Sequence, residues 1–219
     1  MAEKIVLHDF VELEYTGKFK DGMVFDTTSK EIAQKNNVFS PQIKYGPAVI
    51  CVGEKQLVKG LDDALLGKEI GKDYTIEIGP EDAFGKRDIK KIRLVPLAEF
   101  RKQNIEPRAG MQIDMDGEIG RVIRAAGGRI LVNFNHPFAG KEVVYEIKVN
   151  KKIVDKSMQL KSFLELSFNL SGVKVEIKEE KAEVTLPMEL PELIQGELAK
   201  KLKEIVKLKE IKFKAEKKG

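Results

Sequence analysis

The chain has 219 residues, 42% hydrophobic and 34% charged, and its 39 Lys and Arg against 35 Asp and Glu leave a net charge of +4. That length holds one large domain or two to three small ones, and so even a charge balance gives no argument for nucleic acid as a partner. A single cysteine, Cys51, excludes an intrachain disulfide framework, no apolar run approaches the about 20 residues of a membrane span, and the opening MAEKIVLHDF has no signal-peptide core, so a cytoplasmic, membrane-free protein is expected.

Val11, Leu13 and Tyr15 alternate with polar residues and Asp21-Gly22 supplies a turn. A hairpin is therefore predicted from Ile5 to Tyr15 and Met23 to Phe25. The polar stretch EIAQKNNVFSPQIKYGPAVI, Glu31 to Ile50, with two prolines, reads as a long loop or flap. AVICVG reads as a strand in which Cys51 is a small buried hydrophobe. Leu57, Leu61 and Leu65 recur at i, i+4 and i+8 with Gly67 behind them, the pattern of a short amphipathic helix. Tyr74, Ile76 and Ile78 alternate as a strand.

From Lys86 the character changes. KKIRLVPLAEFRKQN begins strand-like, and Pro96 suits the start of a short helix carrying Leu97 and Phe100. Three strands follow, with turns at Asp116-Gly117 and Gly127-Gly128. A piece of about fifty residues is marginal as an independent domain. HPFAGKEVVYEIKVNKKI returns to long-strand character and has no obvious partner inside the small module. The pattern is that of an insertion: an outer sheet is interrupted and then completed. Beyond Val154 the predicted order is α-β-β-α-β, ending in a Lys-Glu-rich stretch that reads as a solvated helix face and tail.

The chain carries few of the usual catalytic groups. With two histidines, His8 and His136, and one cysteine between apolar neighbours, neither a nucleophilic triad nor zinc spacing can be built. Asp114-Met115-Asp116-Gly117 resembles the start of a calcium loop but lacks the later ligands, so a hairpin turn is expected. Asp62-Asp63 and Glu81-Asp82 read as helix-surface or turn residues. No metal and no cofactor are predicted. An enzyme of this composition would have to work by binding and electrostatics.

Four separated motifs, in family order, resemble the FK506-binding (FKBP) type of peptidyl-prolyl isomerase. VELEYTGKFKDGMVFDTT is similar to that family's first strand and hairpin, and VGEKQLVKGLDDALLG to its pocket-floor helix. AFG at Ala83 to Gly85 resembles the flap base, and NHPFAGKEVVYEIKV the closing strand. The break after AFG resembles the insert-in-flap layout of SlyD-like bacterial and archaeal members. By position and pattern, the C-terminal segment resembles the extension of longer archaeal members.

The resemblance implies an α+β fold: an antiparallel sheet wrapped on a short helix, an inserted small β-rich domain, and a separate C-terminal α+β domain. The expected boundaries are 1–86 with 136–152, 87–135, and 153–219. It implies that Tyr15, Phe25 and Asp26 line a pocket for a proline ring. Leu57 and Val58 match the pair where a backbone N–H meets the substrate carbonyl. Leu61 matches a frequent pocket-floor Trp, Phe84 a position often Tyr, and Tyr145 an aromatic of the final strand. Ala48 or Ile50 stands where the flap strand often has Phe. The Leu61 and Phe84 departures bear on macrolide affinity more than on catalysis. The insert would offer Leu97, Phe100, Ile105, Met111 and Met115 to unfolded chains, unless these form its own small core.

The expected activity is cis/trans isomerisation of Xaa-Pro bonds with chaperone binding. The alternative is a non-catalytic chaperone or binding module on the same fold. The expected partners are unfolded or proline-containing polypeptides and a second copy through the C-terminal domain. The histidine-rich tail of some bacterial relatives is absent, so nickel handling is not predicted.

Overall fold

A computed structural model describes residues 3–216. In chain order its elements are strands β1 (Phe10–Phe19) and β2 (Val24–Thr27), helix α1 (Lys30–Lys35), β3 (Ala48–Cys51), α2 (Lys59–Leu65) and β4 (Asp73–Ile78). Then come β5 (Ile92–Pro96), α3 (Leu97–Lys102), β6 (Gln112–Met115), β7 (Glu118–Ala126) and β8 (Arg129–Asn133). The chain continues with β9 (Val143–Lys152), α4 (Lys156–Phe168), β10 (Lys174–Lys178), β11 (Lys181–Leu186), α5 (Glu192–Val206) and β12 (Glu210–Ala215). These group into two compact units, Met1–Ile78 with Glu142–Gly219, and Gly79–Lys141.

The first unit is built on a five-stranded sheet in the order β2-β1-β9-β4, with β3 also paired to β1. All its pairings are antiparallel. β9 lies between β1 and β4, which is the completing role that the sequence pattern gives to HPFAGKEVVYEIKVNKKI. Alternation sorts the side chains of β1 and β9. Val11, Leu13, Ile147 and Val149 are buried, while Glu14, Glu146 and Lys148 face solvent. The β1–β2 turn closes as Asp21-Gly22 predicts: Gly22 has φ 87° and the Asp21 carboxylate accepts from the Met23 N–H at 3.0 Å.

Two local details differ from the sequence reading. The stretch read as loop contains α1, one and a half turns long and capped by the Ser29 hydroxyl, which accepts from the Ile32 N–H. It buries only Ala33, so it has no apolar stripe to betray it. α2 starts at Lys59, which leaves Leu57 before the helix and only Leu61 and Leu65 of the predicted stripe on its buried face.

The C-terminal elements follow the predicted order. β10 and β11 form the hairpin, but β11 and β12 run parallel, joined by α5 as the crossover that parallel pairing requires. α4 and α5 bury Leu160, Phe163, Leu164, Leu198 and Leu202 in one core with Val184 and Leu186 of β11. That core also takes in Phe10 of β1 and Cys51 of β3. The C-terminal segment and one end of the main sheet therefore share buried surface.

The second unit holds a four-stranded antiparallel sheet, β5-β8-β7-β6. Its core is Phe100 of α3 with Ile113, Val122, Ile130, Val132 and Phe134. Gly120 on β7 is needed there, because an added Cβ would lie 2.7 Å from both Phe134 and Val132.

Candidate active site

Strands β1 and β2 bring Tyr15, Phe25 and Asp26 together. The Tyr15 hydroxyl donates to Asp26 Oδ2 at 3.0 Å. Threonines lock this end of the hairpin. The Tyr15 N–H donates to Thr28 Oγ1 at 2.9 Å, the Thr28 N–H returns to the Tyr15 carbonyl at 3.0 Å, and the Thr16 and Thr27 hydroxyls meet at 2.9 Å. Tyr145 of β9 completes an aromatic cluster. Its ring lies edge-on to Tyr15 at 5.9 Å and to Phe25 at 5.8 Å, and Phe25 also packs on Phe19 at 4.7 Å.

Gly17 is the residue that sequence reasoning missed. A Cβ there would stand 2.8 Å from Phe25 Cζ and 2.9 Å from Tyr145 Cε1, so both rings occupy the space that any other side chain would take. The sequence signal was present, a glycine inside a strand pattern, which marks close approach of another group.

The electrostatics keep both tyrosine hydroxyls protonated. Burial, then the Asp26 charge and the hydrogen bond to it, push the Tyr15 hydroxyl far above the usual phenol range. Tyr145 is raised as well, by burial and then by Asp26. Burial raises the Asp26 carboxyl, against the opposing pull of the bonds from Tyr15 and the Thr27 backbone. Tyr15 is thus a fixed donor and Asp26 its acceptor. Neither arrangement suits a proton relay.

Ahead of α2, Val58 stands at the N-terminal cap position with φ −59°, and its carbonyl accepts from the Leu61 and Asp62 N–H groups. Among the described residues its own N–H meets no acceptor. The turn before it is held by Asp62, which is 4% exposed and accepts from the Gly53 N–H at 2.9 Å and the Lys55 N–H at 3.0 Å. Of the helix-surface and turn roles expected for Asp62-Asp63, Asp63 takes the first, exposed and paired with Lys59 at 3.3 Å, and Asp62 takes the second, as a buried residue. A buried carboxylate is retained at Asp62 because two backbone donors satisfy it.

The sequence-predicted residues fall into two layers. Tyr15, Phe25, Asp26, Leu57 and Val58 are partly exposed, whereas Tyr145, Leu61 and Ile50 are buried and form packed support. Of the two candidates for the flap-strand position, Ile50 is in the core and Ala48 is half-buried.

In the second unit, Phe84 stacks on His136 at 4.8 Å with the rings 3° from parallel, and Phe138 meets Phe84 edge-on at 5.2 Å. The apolar residues assigned to the insert divide differently from expectation. Phe100 is 3% exposed and belongs to the module's own core, with Leu97, Ile105 and Met115 packed against it. Of that group Met111 is exposed. The exposed aliphatic side chains are instead Ile89, Leu94, Ile119 and Ile123. β5 pairs Leu94 with Leu131, facing away from the Val95–Ile130 pair that points into the core. Period-two alternation was the available signal, but both faces of these strands carry aliphatic residues, so pattern alone could not tell them apart.

The chain matches the family model of FKBP-type peptidyl-prolyl cis-trans isomerase over residues 2–101 and that of the FKBP26 IF domain over residues 93–138. A short-type peptidyl-prolyl cis-trans isomerase of Methanocaldococcus jannaschii is 35% identical over 149 residues, covering 68% of this chain and 94% of that protein. The FKBP-type 16 kDa peptidyl-prolyl cis-trans isomerase of Escherichia coli K12 is 32% identical over 154 residues, with the same two coverages, 68% and 94%. The FKBP-type isomerase SlyD of Helicobacter pylori is 30% identical over 119 residues, 52% of this chain and 63% of that protein. The chain belongs to the FKBP-type peptidyl-prolyl cis-trans isomerase family. Its α+β fold and its enzymatic class, rotation about Xaa-Pro bonds, are those of the family.

Proposed function

We propose that the prolyl ring is received at Tyr15, Phe25 and Asp26, over a floor of Tyr145, Leu61 and Ile50, with the Val58 N–H holding a substrate carbonyl beside Leu57. The observation that carries this reading is the Tyr15–Asp26 hydrogen bond set against the rings of Phe25 and Tyr145. Phe84 enters the proposal on its family-matched position alone. Rotation about the peptide bond meets a barrier of about 18–20 kcal/mol because conjugation must be lost. An apolar surround disfavours the charge-separated planar amide and so favours the twisted state. Lowering the barrier by about 4 kcal/mol accelerates rotation on the order of a thousandfold. Asp26 has an orienting role: it holds the Tyr15 hydroxyl and presents partial negative charge to the twisted amide. Replacing Phe25 or Asp26 by Ala should lower kcat/KM on a prolyl tetrapeptide at least tenfold while unfolding stays cooperative. Wild-type rates in both variants would sink this site.

The insert, by this reading, binds unfolded chains and the protein is a folding helper of the long archaeal type. Support comes from the match to the IF domain and from the exposed aliphatic residues Leu94, Ile119, Ile123 and Met111. Deleting residues 87–135 and rejoining the flap should preserve turnover of a tetrapeptide and slow proline-limited refolding of a whole protein. An equal loss on both substrates would contradict separate roles.

The C-terminal segment, 153–219, is proposed to join two copies, giving one client two prolyl sites and hence avidity. Leu193, Ile194 and Met188, all exposed around the start of α5, supply apolar surface for such a contact. Light scattering at micromolar concentration tests this, and a monomer mass for the full chain would rule it out.

A further inference from the structure

Gln56 makes two bonds that no part of the prolyl chemistry requires. Its Oε1 accepts from the Cys51 N–H at 2.7 Å, and its Nε2 donates to Ser167 Oγ at 2.9 Å. The amide orientation is fixed by chemistry, because the Cys51 N–H can meet only an acceptor. Cys51 ends β3, and Ser167 lies in the last turn of α4. One side chain two residues before Val58 therefore ties the lead-in to α2 both to the sheet and to a C-terminal helix. Beside it Glu54, whose side chain is 8% exposed, pairs with His8 at 3.3 Å and with Lys201 of α5. Asp62 holds the same turn from within.

We infer that Gln56 is a positioning residue for the Val58 N–H, and that through it α4 sets the substrate affinity of the prolyl site. This rests on the reading above in which Val58 donates to a substrate carbonyl. A donor on the seven-residue excursion between β3 and α2, residues 52–58, is only as well placed as the excursion is fixed. Gln56 bonds to both β3 and α4 from the middle of that excursion. The N–H grips a carbonyl in the planar and the twisted substrate alike. Loosening it therefore weakens binding of both states together, which raises KM and leaves kcat in place.

The test uses the full chain and three variants. Gln56→Leu removes both bonds, Ser167→Ala removes the α4 bond alone, and Gln56→Glu keeps an acceptor for Cys51 and for the Ser167 hydroxyl. On a prolyl tetrapeptide, Gln56→Leu should raise KM about fivefold and Ser167→Ala about threefold, with kcat within twofold of wild type. Gln56→Glu should restore KM. Amide hydrogen exchange at Leu61 and Asp62, whose N–H groups donate to the Val58 carbonyl, should quicken in the first two variants and not in the third. Wild-type KM and wild-type exchange at Leu61 and Asp62 in Gln56→Leu would overturn the inference. So would a fall in kcat that merely follows a loss of folded protein. Val58→Pro separates the two readings: φ −59° already suits proline, so this change removes little but the N–H. If it leaves KM untouched, the donor role falls, and Leu61 and Asp62 exchange in Gln56→Leu still decides whether the tether exists.

Discussion

Gly17 has the smallest side chain of the site and the tightest surroundings. Substitution by Ala places a methyl group against Phe25 and Tyr145 at separations that real Cβ atoms do not show. Overpacking of this kind costs about 1–3 kcal/mol. Gly17→Ala should lower the denaturation midpoint accordingly and reduce kcat/KM on a prolyl tetrapeptide, since the rings that move are those of the site. Asp26 gives a second test. Its folded pKa lies above the unfolded value because burial outweighs its hydrogen bonds. Between the two values the folded chain holds the extra proton, so unfolding free energy falls as pH rises through that window. Asp26→Asn has no proton to lose. The stability difference between wild type and Asp26→Asn, followed by urea unfolding from about pH 3 to 7, should therefore move against the wild type as pH rises. A difference that is flat, or that favours the wild type at higher pH, would contradict a buried, raised carboxyl. Tyr15, Phe25 and Asp26 were legible as a group because the motif around them resembles a family. For Gly17 the sequence offers only a glycine inside a strand pattern, and for Asp62 nothing, since the groups that require them, Phe25 and Tyr145 for the one and the Gly53 and Lys55 N–H groups for the other, are not named by local pattern.

At the scale of elements, strands were easier to read than short helices. β1, β4 and β9 announce themselves by alternation, and β6 to β8 by their turn residues. α1 has a capping serine but no buried stripe, and α2 begins two residues later than Leu57 suggests because the turn held by Asp62 takes up Gly53 to Lys55. That turn makes Asp62 the most sensitive polar position of α2. Asp62→Ala leaves two backbone N–H groups without their acceptor, a loss of about 3 kcal/mol at charge-assisted strengths. Asp62→Asn, which keeps one acceptor, should lose less. Chemical denaturation of the two variants checks the order, and equal stabilities would mean that the turn holds itself.

For the whole molecule, the sharing of one core by the main sheet and the C-terminal helices matters most. Phe10 and Cys51 are buried against α4 and α5 side chains, a pairing of distant segments that sequence periodicity cannot reveal. Cys51 is fully enclosed, and burial together with nearby Glu54 pushes its thiol up to about 12. In the full chain it should be inert to thiol reagents at neutral pH. Ending the chain at Lys152 removes the cover, so the truncated protein should be less stable and its Cys51 should react within the range of an ordinary exposed thiol. An unreactive Cys51 in the truncated chain would show that the sheet end closes without the C-terminal helices.

The position of β9 also has a consequence during synthesis. β9 is the last strand of the main sheet to leave the ribosome, yet it lies between β1 and β4. Until Val143–Lys152 emerges, those two earlier strands have no common neighbour: β1 can pair with β2 and β3, but its β9 edge stays open and β4 has no strand to join. In the Gly79–Lys141 unit β6, β7 and β8 close as near-neighbour hairpins, the local pairings that form fastest, and β5 then joins β8, all from segments made before β9. A nascent chain of this protein therefore carries a finished insert before it carries a finished isomerase, and the order of emergence makes the insert the first part able to meet other polypeptides.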